Sequence, residues 1–143
     1  MRGRVKGLTV PPVASVRPDL KILDERRAAV LEPLCETIVP GSSRVGPLVY
    51  IDAILARMPE PQREAALAAI DSLEPVAGGG AEALRPVAAT PEFLMVRALA
   101  VEAFYSDFVA PGAPGPGAWE EIDFVFPLAS RYSKDWSYLG IAG

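Results

Sequence analysis

Apolar residues recur three and four positions apart over much of the chain, which is the spacing of an α-helix. Residues 23–38 carry one apolar stripe before Pro40-Gly41 ends the predicted first helix. Pro33 lies inside this helix, where its missing N–H and its ring predict a kink or a division into two pieces. The stripe consists of Val30, Leu31, Leu34, Cys35 and Ile38.

Two shorter helices are predicted next, each opened by a proline, a residue favoured at the first helical position. One begins at Pro47, ends before Pro59 and has apolar residues at Leu48, Ile51, Leu55 and Met58. The other begins at Pro61, ends at Gly78-Gly79-Gly80 and directs inward Ala66, Leu67, Ile70 and Leu73.

Thr90-Pro91-Glu92 predicts the start of the longest helix. It supplies a capping hydroxyl, a first-turn proline and a carboxylate near the positive end of the helix dipole. Apolar residues surround nearly the whole circumference, which predicts a central helix buried on all sides. They are Phe93, Leu94, Met95, Val96, Leu99, Val101, Phe104, Tyr105 and Phe108.

The two ends of the chain show little periodicity. Residues 1–18 contain three prolines and predict an extended arm. Residues 111–117 form a Pro/Gly linker, followed by a tail rich in aromatic residues. We therefore predict an all-α, compact, single-domain helical bundle of about four to five helices. Its parts are an arm at 1–18, a helical core at 19–110, and a linker and irregular aromatic tail at 111–143 that packs on the core or on a partner.

Composition narrows the classes of function. The 143 residues are 50% apolar and 22% charged, as in a globular protein, and their net charge of -4 includes no basic stripe for nucleic acid. No apolar run reaches the length of about 20 residues that a membrane-spanning helix needs. The chain has no histidine, from which we predict neither a Ser-His-Asp hydrolase nor a zinc hydrolase. A lone Cys35 and the lack of an export signal predict a cytoplasmic protein.

Three local patterns invite chemical interpretations, and in each case a structural one is favoured. Gly78-Gly79-Gly80 lacks the strand and the Lys-Ser/Thr pair of a phosphate loop, so we predict a helix connection. Glu120, Glu121 and Asp123 predict a solvated acidic turn, because no second carboxylate pair or Glu-x-x-His accompanies them. Cys35 lies on an apolar stripe, where burial suppresses the thiolate.

Arg97 and the aromatic tail each leave two interpretations open. Arg97 lies among apolar residues of the central helix, where a cation needs a partner. We favour an internal ion pair, with Asp52 or Glu36, over an ion pair across a subunit interface. The aromatic tail either completes the core or presents anchors to another chain, and composition does not distinguish the two.

Three segments, in this order, resemble the gluconate 2-dehydrogenase subunit 3 family. Residues 31–41 are similar to that family's early helix ending in Thr-Ile-Val-Pro-Gly. Residues 97–107 resemble its Arg-containing helix closing in Glu-Gly-Phe-Tyr-Ser, with Ala103 in place of the glycine. Residues 136–141 resemble its tryptophan followed by a Leu-Gly turn, although Trp119 is a second candidate for that tryptophan.

The resemblance implies a non-catalytic small subunit that binds and stabilises a large FAD-dependent oxidoreductase of the glucose-methanol-choline type. The substrate would be a sugar, a glycoside or another alcohol. This chain would bind no cofactor or metal of its own, and FAD would belong to the partner. The residues that we expect at the partner interface are Arg97, Phe104, Tyr105, Phe108, Trp119, Phe124, Tyr132, Trp136 and Tyr138.

Two other classes of function remain open. One is a stand-alone helical ligand-binding or regulatory protein that self-associates through the same aromatic residues. The other is a small cofactor-independent enzyme that uses carboxylates with Tyr105 or Tyr132. We rank the enzyme last, since acid–base catalysis without histidine requires strongly shifted groups in a pocket.

Overall fold

The computed structural model describes residues 19–124 and 136–141, which form helices joined by short turns and contain no β-strand. The all-α prediction is thus confirmed for these residues, while the predicted arm at 1–18 lies outside them. None of the helices in these ranges is both long and apolar enough to cross a lipid bilayer. The α-helices are α1 (Glu25–Ile38), α2 (Pro47–Arg57), α3 (Glu60–Ser72), α4 (Gly80–Leu84), α5 (Pro91–Tyr105) and α6 (Ala118–Glu121).

Helix α1 begins where Asp24 caps it, its side chain accepting a hydrogen bond from the backbone N–H of Arg27 at 2.8 Å. The helix runs through Pro33 without interruption, so the predicted division into two pieces is wrong. Proline removes one intrahelical hydrogen bond. The buried face of α1, which includes Leu31 and Leu34, packs against α3 and α5. This packing maintains the helix on both sides of the missing hydrogen bond.

Helices α2 and α3 begin close to the predicted prolines. Pro47 is the first residue of α2, and a short 3₁₀ turn at Ser42–Val45 connects it to α1. Helix α3 begins at Glu60, one residue before the predicted start, so Pro61 is its second residue. The predicted end of α3 at the glycine run is wrong: the helix ends at Ser72, because Pro75, in the 3₁₀ turn at Glu74–Val76 that follows, disfavours its continuation.

The segment between α3 and α5 contains structure that periodicity did not reveal. Gly80 begins the five-residue helix α4, and a 3₁₀ turn at Arg85–Val87 follows it. Both are shorter than the two turns that a recognisable apolar stripe requires. The interpretation of the glycine run as a helix connection is confirmed for Gly78 and Gly79, which join the Glu74–Val76 turn to α4, whereas Gly80 is the first residue of α4.

Helix α5 is the central element, in contact with α1, α2, α3 and α6. Thr90 caps it as predicted, accepting a hydrogen bond from the N–H of Phe93 at 3.3 Å. The prediction that this helix is buried on all sides, however, is wrong. The neighbouring helices cover one side only, where Val96 and Ala100 are buried, while Leu94 and Tyr105 remain exposed.

The core draws on residues from Leu23 to Leu139, so the segment 136–141 is part of it. Phe108 is fully buried and its ring contacts those of Tyr50 and Trp136, each with centroids 5.4 Å apart. A 3₁₀ turn at Ser137–Leu139 then packs against α2. A smaller cluster lies beside this core and consists of Val39, Val45, Phe104 and Ala118.

Candidate interaction surface

Exposed large apolar side chains are concentrated on one part of the described chain. Seven such side chains occur, and six of them lie on α5 or in residues 119–124. Scattered exposed apolar residues are ordinary, whereas a contiguous patch marks an interaction site. The six are Leu94, Met95, Tyr105, Trp119, Ile122 and Phe124.

On α5, four of the apolar residues form a stripe along the solvent side. Leu94, Ala98, Val101 and Tyr105 follow one another at intervals of four, three and four residues, which places them on one helical face. Leu94 is 48% exposed and Tyr105 is 57% exposed. The stripe therefore lies mostly on the solvent side of the helix, although Val101 is only partly exposed and packs against the smaller cluster.

Helix α6 extends this stripe beyond the end of α5. The indole N–H of Trp119 donates a hydrogen bond to the carbonyl oxygen of Tyr105 at 3.2 Å. The ring of Phe124 meets that of Trp119 edge to face, with centroids 5.3 Å apart. Together these residues form the α5–α6 apolar face, which consists of Leu94, Ala98, Val101, Tyr105, Trp119 and Phe124.

A buried carboxylate positions α6. Asp107, at a left-handed backbone φ of 63°, is almost fully buried and accepts a hydrogen bond from the backbone N–H of Trp119 at 3.1 Å. Gly117 leaves room for this contact, because a Cβ there would lie 2.3 Å from Asp107 Oδ1. The orientation of Trp119 on the face thus depends on a small residue two positions before it.

Arg44 holds the loop before α6 against the rest of the fold. Its backbone carbonyl accepts a hydrogen bond from the N–H of Gly115 at 2.9 Å, and its Nε donates to the carbonyl of Pro116 at 3.0 Å. The guanidinium lies over the ring of Phe104, 5.0 Å from its centroid, and pairs with Glu121. The predicted solvated acidic turn is confirmed in its exposure to solvent, since the side chains of Glu120, Glu121 and Asp123 are all exposed.

Arg97 lies on the exposed side of α5, next to Ala98, and has no ion pair with any residue in 19–124 or 136–141. The favoured internal pair with Asp52 or Glu36 is therefore wrong. Asp52 instead accepts backbone hydrogen bonds from residues 21–23. Glu36 accepts them from Gly41 and Ser43. An exposed guanidinium keeps its hydration and needs no internal partner.

The remaining residues expected at the interface are divided between core and surface. Phe104 and Phe108 are buried in this chain's own core. Trp136 is partly buried against Phe108, whereas Tyr138 is 56% exposed. Tyr132 lies outside the described residues. Leu94 and Ile122, which the sequence did not indicate, are also exposed. The one-sided packing of α5 explains this for Leu94, whereas Ile122 directly follows the end of α6.

Groups suited to catalysis or metal binding are sparse in the described ranges. Cys35 is buried, and this burial raises the pKa of its thiol to about 12, which confirms the interpretation as a core residue. The Tyr50 hydroxyl donates a 2.8 Å hydrogen bond to Glu102, and burial together with this bond raises the pKa of Tyr50. Within 19–124 and 136–141, no three or more Cys, Asp or Glu side chains are grouped to hold a metal ion.

Comparison of the chain with protein-family models, with curated proteins and with solved structures finds no match. The resemblance to a flavoenzyme small subunit therefore remains a prediction from the three segments themselves.

Proposed function

We propose that this chain is a non-catalytic small subunit that binds and stabilises a larger FAD-dependent oxidoreductase of the glucose-methanol-choline type. The observation that carries the proposal is the α5–α6 apolar face, which exposes aromatic and aliphatic side chains along α5 and in residues 119–124, joined by the contacts of Trp119 with Tyr105 and Phe124. The flavoenzyme as partner rests on the three segments that resemble the small-subunit family. A sugar, glycoside or other alcohol would be the partner's substrate, and the complex would act in the cytoplasm.

The position of the second resembling segment supports the proposal. Residues 97–107 include part of the exposed side of α5, among them Ala98 and Tyr105. Arg97 lies beside the apolar stripe with a guanidinium that no described carboxylate engages. Arginine, tyrosine and tryptophan are the residue types enriched at the energetic centres of protein interfaces. All three types are present on or beside this face.

The exposed side chains are large, so their burial by a partner would contribute substantially to the free energy of binding. Burial of apolar surface stabilises a complex by about 25 cal/mol per Å². A partner that covered Leu94, Tyr105 and Phe124 would remove three large side chains from water. Trp119 is already oriented by its hydrogen bond to the Tyr105 carbonyl, so little rotamer entropy is lost there.

The test is co-expression with a candidate large subunit, followed by size-exclusion chromatography with flavin absorbance and light scattering. We expect a stoichiometric, FAD-containing complex and a flavoenzyme that is less soluble or less active without this chain. Leu94→Glu and Tyr105→Ser should each weaken the complex at least about tenfold, as for hot-spot residues. Tyr138→Ser is the matched control, since Tyr138 is equally exposed but lies outside the face.

Two results would count against the proposal. If no flavoprotein forms a complex, and the chain alone is a monodisperse homodimer that Tyr105→Ser dissociates, the self-associating protein considered above is the better interpretation. If a complex forms but Tyr138→Ser weakens it as much as Tyr105→Ser, the α5–α6 apolar face is not the docking surface.

A further inference from the structure

A pocket of about 240 Å³ lies beside α2, and none of its lining residues belongs to the α5–α6 apolar face. Four parts of the chain meet around it: residues 19–21, one face of α2 between Val49 and Arg57, Pro111, and residues 139–141. Its apolar wall is formed by Leu20, Val49, Ala53, Ala56, Leu139 and Ile141. Such a pocket is smaller than those that hold drug-sized ligands, so it suits a molecule of few atoms.

Asp52 builds one side of this pocket. It is almost fully buried, and its two carboxylate oxygens accept hydrogen bonds from three consecutive backbone N–H groups, those of Lys21, Ile22 and Leu23, each at 2.8 Å. These bonds fix the segment before α1 against α2. Lys21 is thereby held next to the last turn of α2, where Arg57 lies.

Lys21 and Arg57 converge on one point beside Gly140. A Cβ placed on Gly140 would lie 3.6 Å from both Nη atoms of Arg57 and 4.0 Å from Nζ of Lys21. Neither cation forms an ion pair with a residue in the ranges that the structure describes. The two positive charges repel each other, and an anion bound between them would replace this repulsion with attraction to both.

We propose that this pocket binds a small aliphatic carboxylic acid in its ionised form. The carboxylate is held between Arg57 and Lys21, since a guanidinium offers two parallel N–H donors to a carboxylate and an ammonium adds a third. The hydrocarbon part lies against the apolar wall, in particular Val49, Ala53 and Ile141. This wall favours an organic acid over a bare inorganic anion, which has nothing to bury there.

The carboxylates at the pocket do not satisfy the two cations. The oxygens of Asp52 are engaged by the backbone of residues 21–23. Asp19 also lines the pocket but is exposed and has no ion pair within the described part of the chain. Its negative charge opposes an incoming anion, so Asp19→Asn should strengthen binding.

The test is titration of the full chain with butyrate and hexanoate, followed by calorimetry and NMR. Hexanamide serves as the neutral control of matching shape, and inorganic phosphate as the anion without a hydrocarbon part. We expect saturable binding of hexanoate at one site, with hexanamide and phosphate each at least about tenfold weaker, because charge-assisted hydrogen bonds and apolar burial both contribute.

Variants locate the site. Arg57→Gln and Lys21→Gln should each weaken hexanoate binding by about tenfold. Arg63→Gln, a cation on α3 outside the pocket, should leave it unchanged. Both pocket cations are exposed, so these variants should fold, and thermal unfolding checks this. The proposal is overturned if hexanoate does not bind, if hexanamide or phosphate binds as tightly, or if Arg57→Gln binds hexanoate unchanged.

Discussion

Arg27 on α1 and Asp71 on α3 face each other through two parallel hydrogen bonds, Nε to Oδ1 and Nη2 to Oδ2, each 2.9 Å long. This two-point geometry fixes both side chains more closely than a single contact does. Both groups are partly buried, and the pair joins helices that are distant in sequence. Hydrogen bonding to the guanidinium lowers the pKa of Asp71 below its ordinary value.

The lowered pKa of Asp71 predicts an acid-sensitive contribution to stability. The contribution is complete above the ordinary carboxyl pKa of about 4 and disappears as the pH falls through the lowered folded-state value. We expect Asp71→Asn to lower the free energy of unfolding at pH 7 by roughly 0.5–1 kcal/mol, as for a partly exposed ion pair. Urea unfolding at several pH values measures this difference.

Glu82→Gln is the control for that experiment, because the Arg85–Glu82 pair is largely exposed and lies within one short segment. Its effect on the free energy of unfolding should be close to zero at every pH. A loss at pH 7 that persisted unchanged in strong acid would show that Asp71 acts through packing and not through its charge.

Asp52 should be among the least replaceable polar residues of the chain. Asp52→Ala leaves three backbone N–H groups without their acceptor, at least one of them buried. We expect a loss of roughly 2–4 kcal/mol in the free energy of unfolding, since an unsatisfied buried donor retains its full desolvation cost. Glu64→Ala, at an exposed position of α3, should change it by less than about 0.5 kcal/mol.

Gly117 is predicted to tolerate no side chain. A Cβ at this position would lie 2.3 Å from Asp107 Oδ1, so Gly117→Ala must displace the carboxylate that holds α6. We expect a loss of about 1–3 kcal/mol, the usual cost of overpacking, and a shift in Trp119 fluorescence. Gly78→Ala is the matched control, because apart from its two chain neighbours no residue has an atom within 4 Å of the added Cβ. Equal effects of the two variants would contradict this account.

Cys35 should resist alkylation in the folded protein. Burial raises the pKa of its thiol to about 12, so the reactive thiolate is scarce and inaccessible at pH 8. We expect iodoacetamide to modify Cys35 only after unfolding in urea, as measured by mass spectrometry. Rapid modification under native conditions would mean that α1 opens locally.

The sequence predicted the helices wherever local chemistry determines them. The capping hydroxyl of Thr90 and the prolines at the start of α2 and near the start of α3 act within a few residues, so their effects can be read from the chain alone. Helix α4 was missed because five residues do not complete a stripe. The continuity of α1 through Pro33 depends on tertiary packing, which overrides a local preference.

The candidate sites depend on which segments lie next to one another in the fold, and the periodicity of the sequence does not show this. An apolar residue on α5 is buried or exposed according to which sides have neighbouring helices, so Val96 and Leu94 look alike in the sequence. Arg97 was wrongly expected inside for the same reason. Lys21, Arg57 and Gly140 come from three distant segments, and only the hydrogen bonds of Asp52 and the packing of residues 137–139 on α2 bring them together.

Leu139, nearly the last residue that the structure describes, is almost fully buried in a core that begins at Leu23. During synthesis, residue 139 must therefore emerge from the ribosomal exit tunnel before that core can form completely. Until then α2 lacks its covering turn, and apolar side chains that Leu139 and Trp136 later shield remain open to water. The nascent chain is therefore prone to aggregation until that residue has emerged. Chaperone binding or slow translation of the preceding residues would influence how much aggregation occurs in that interval.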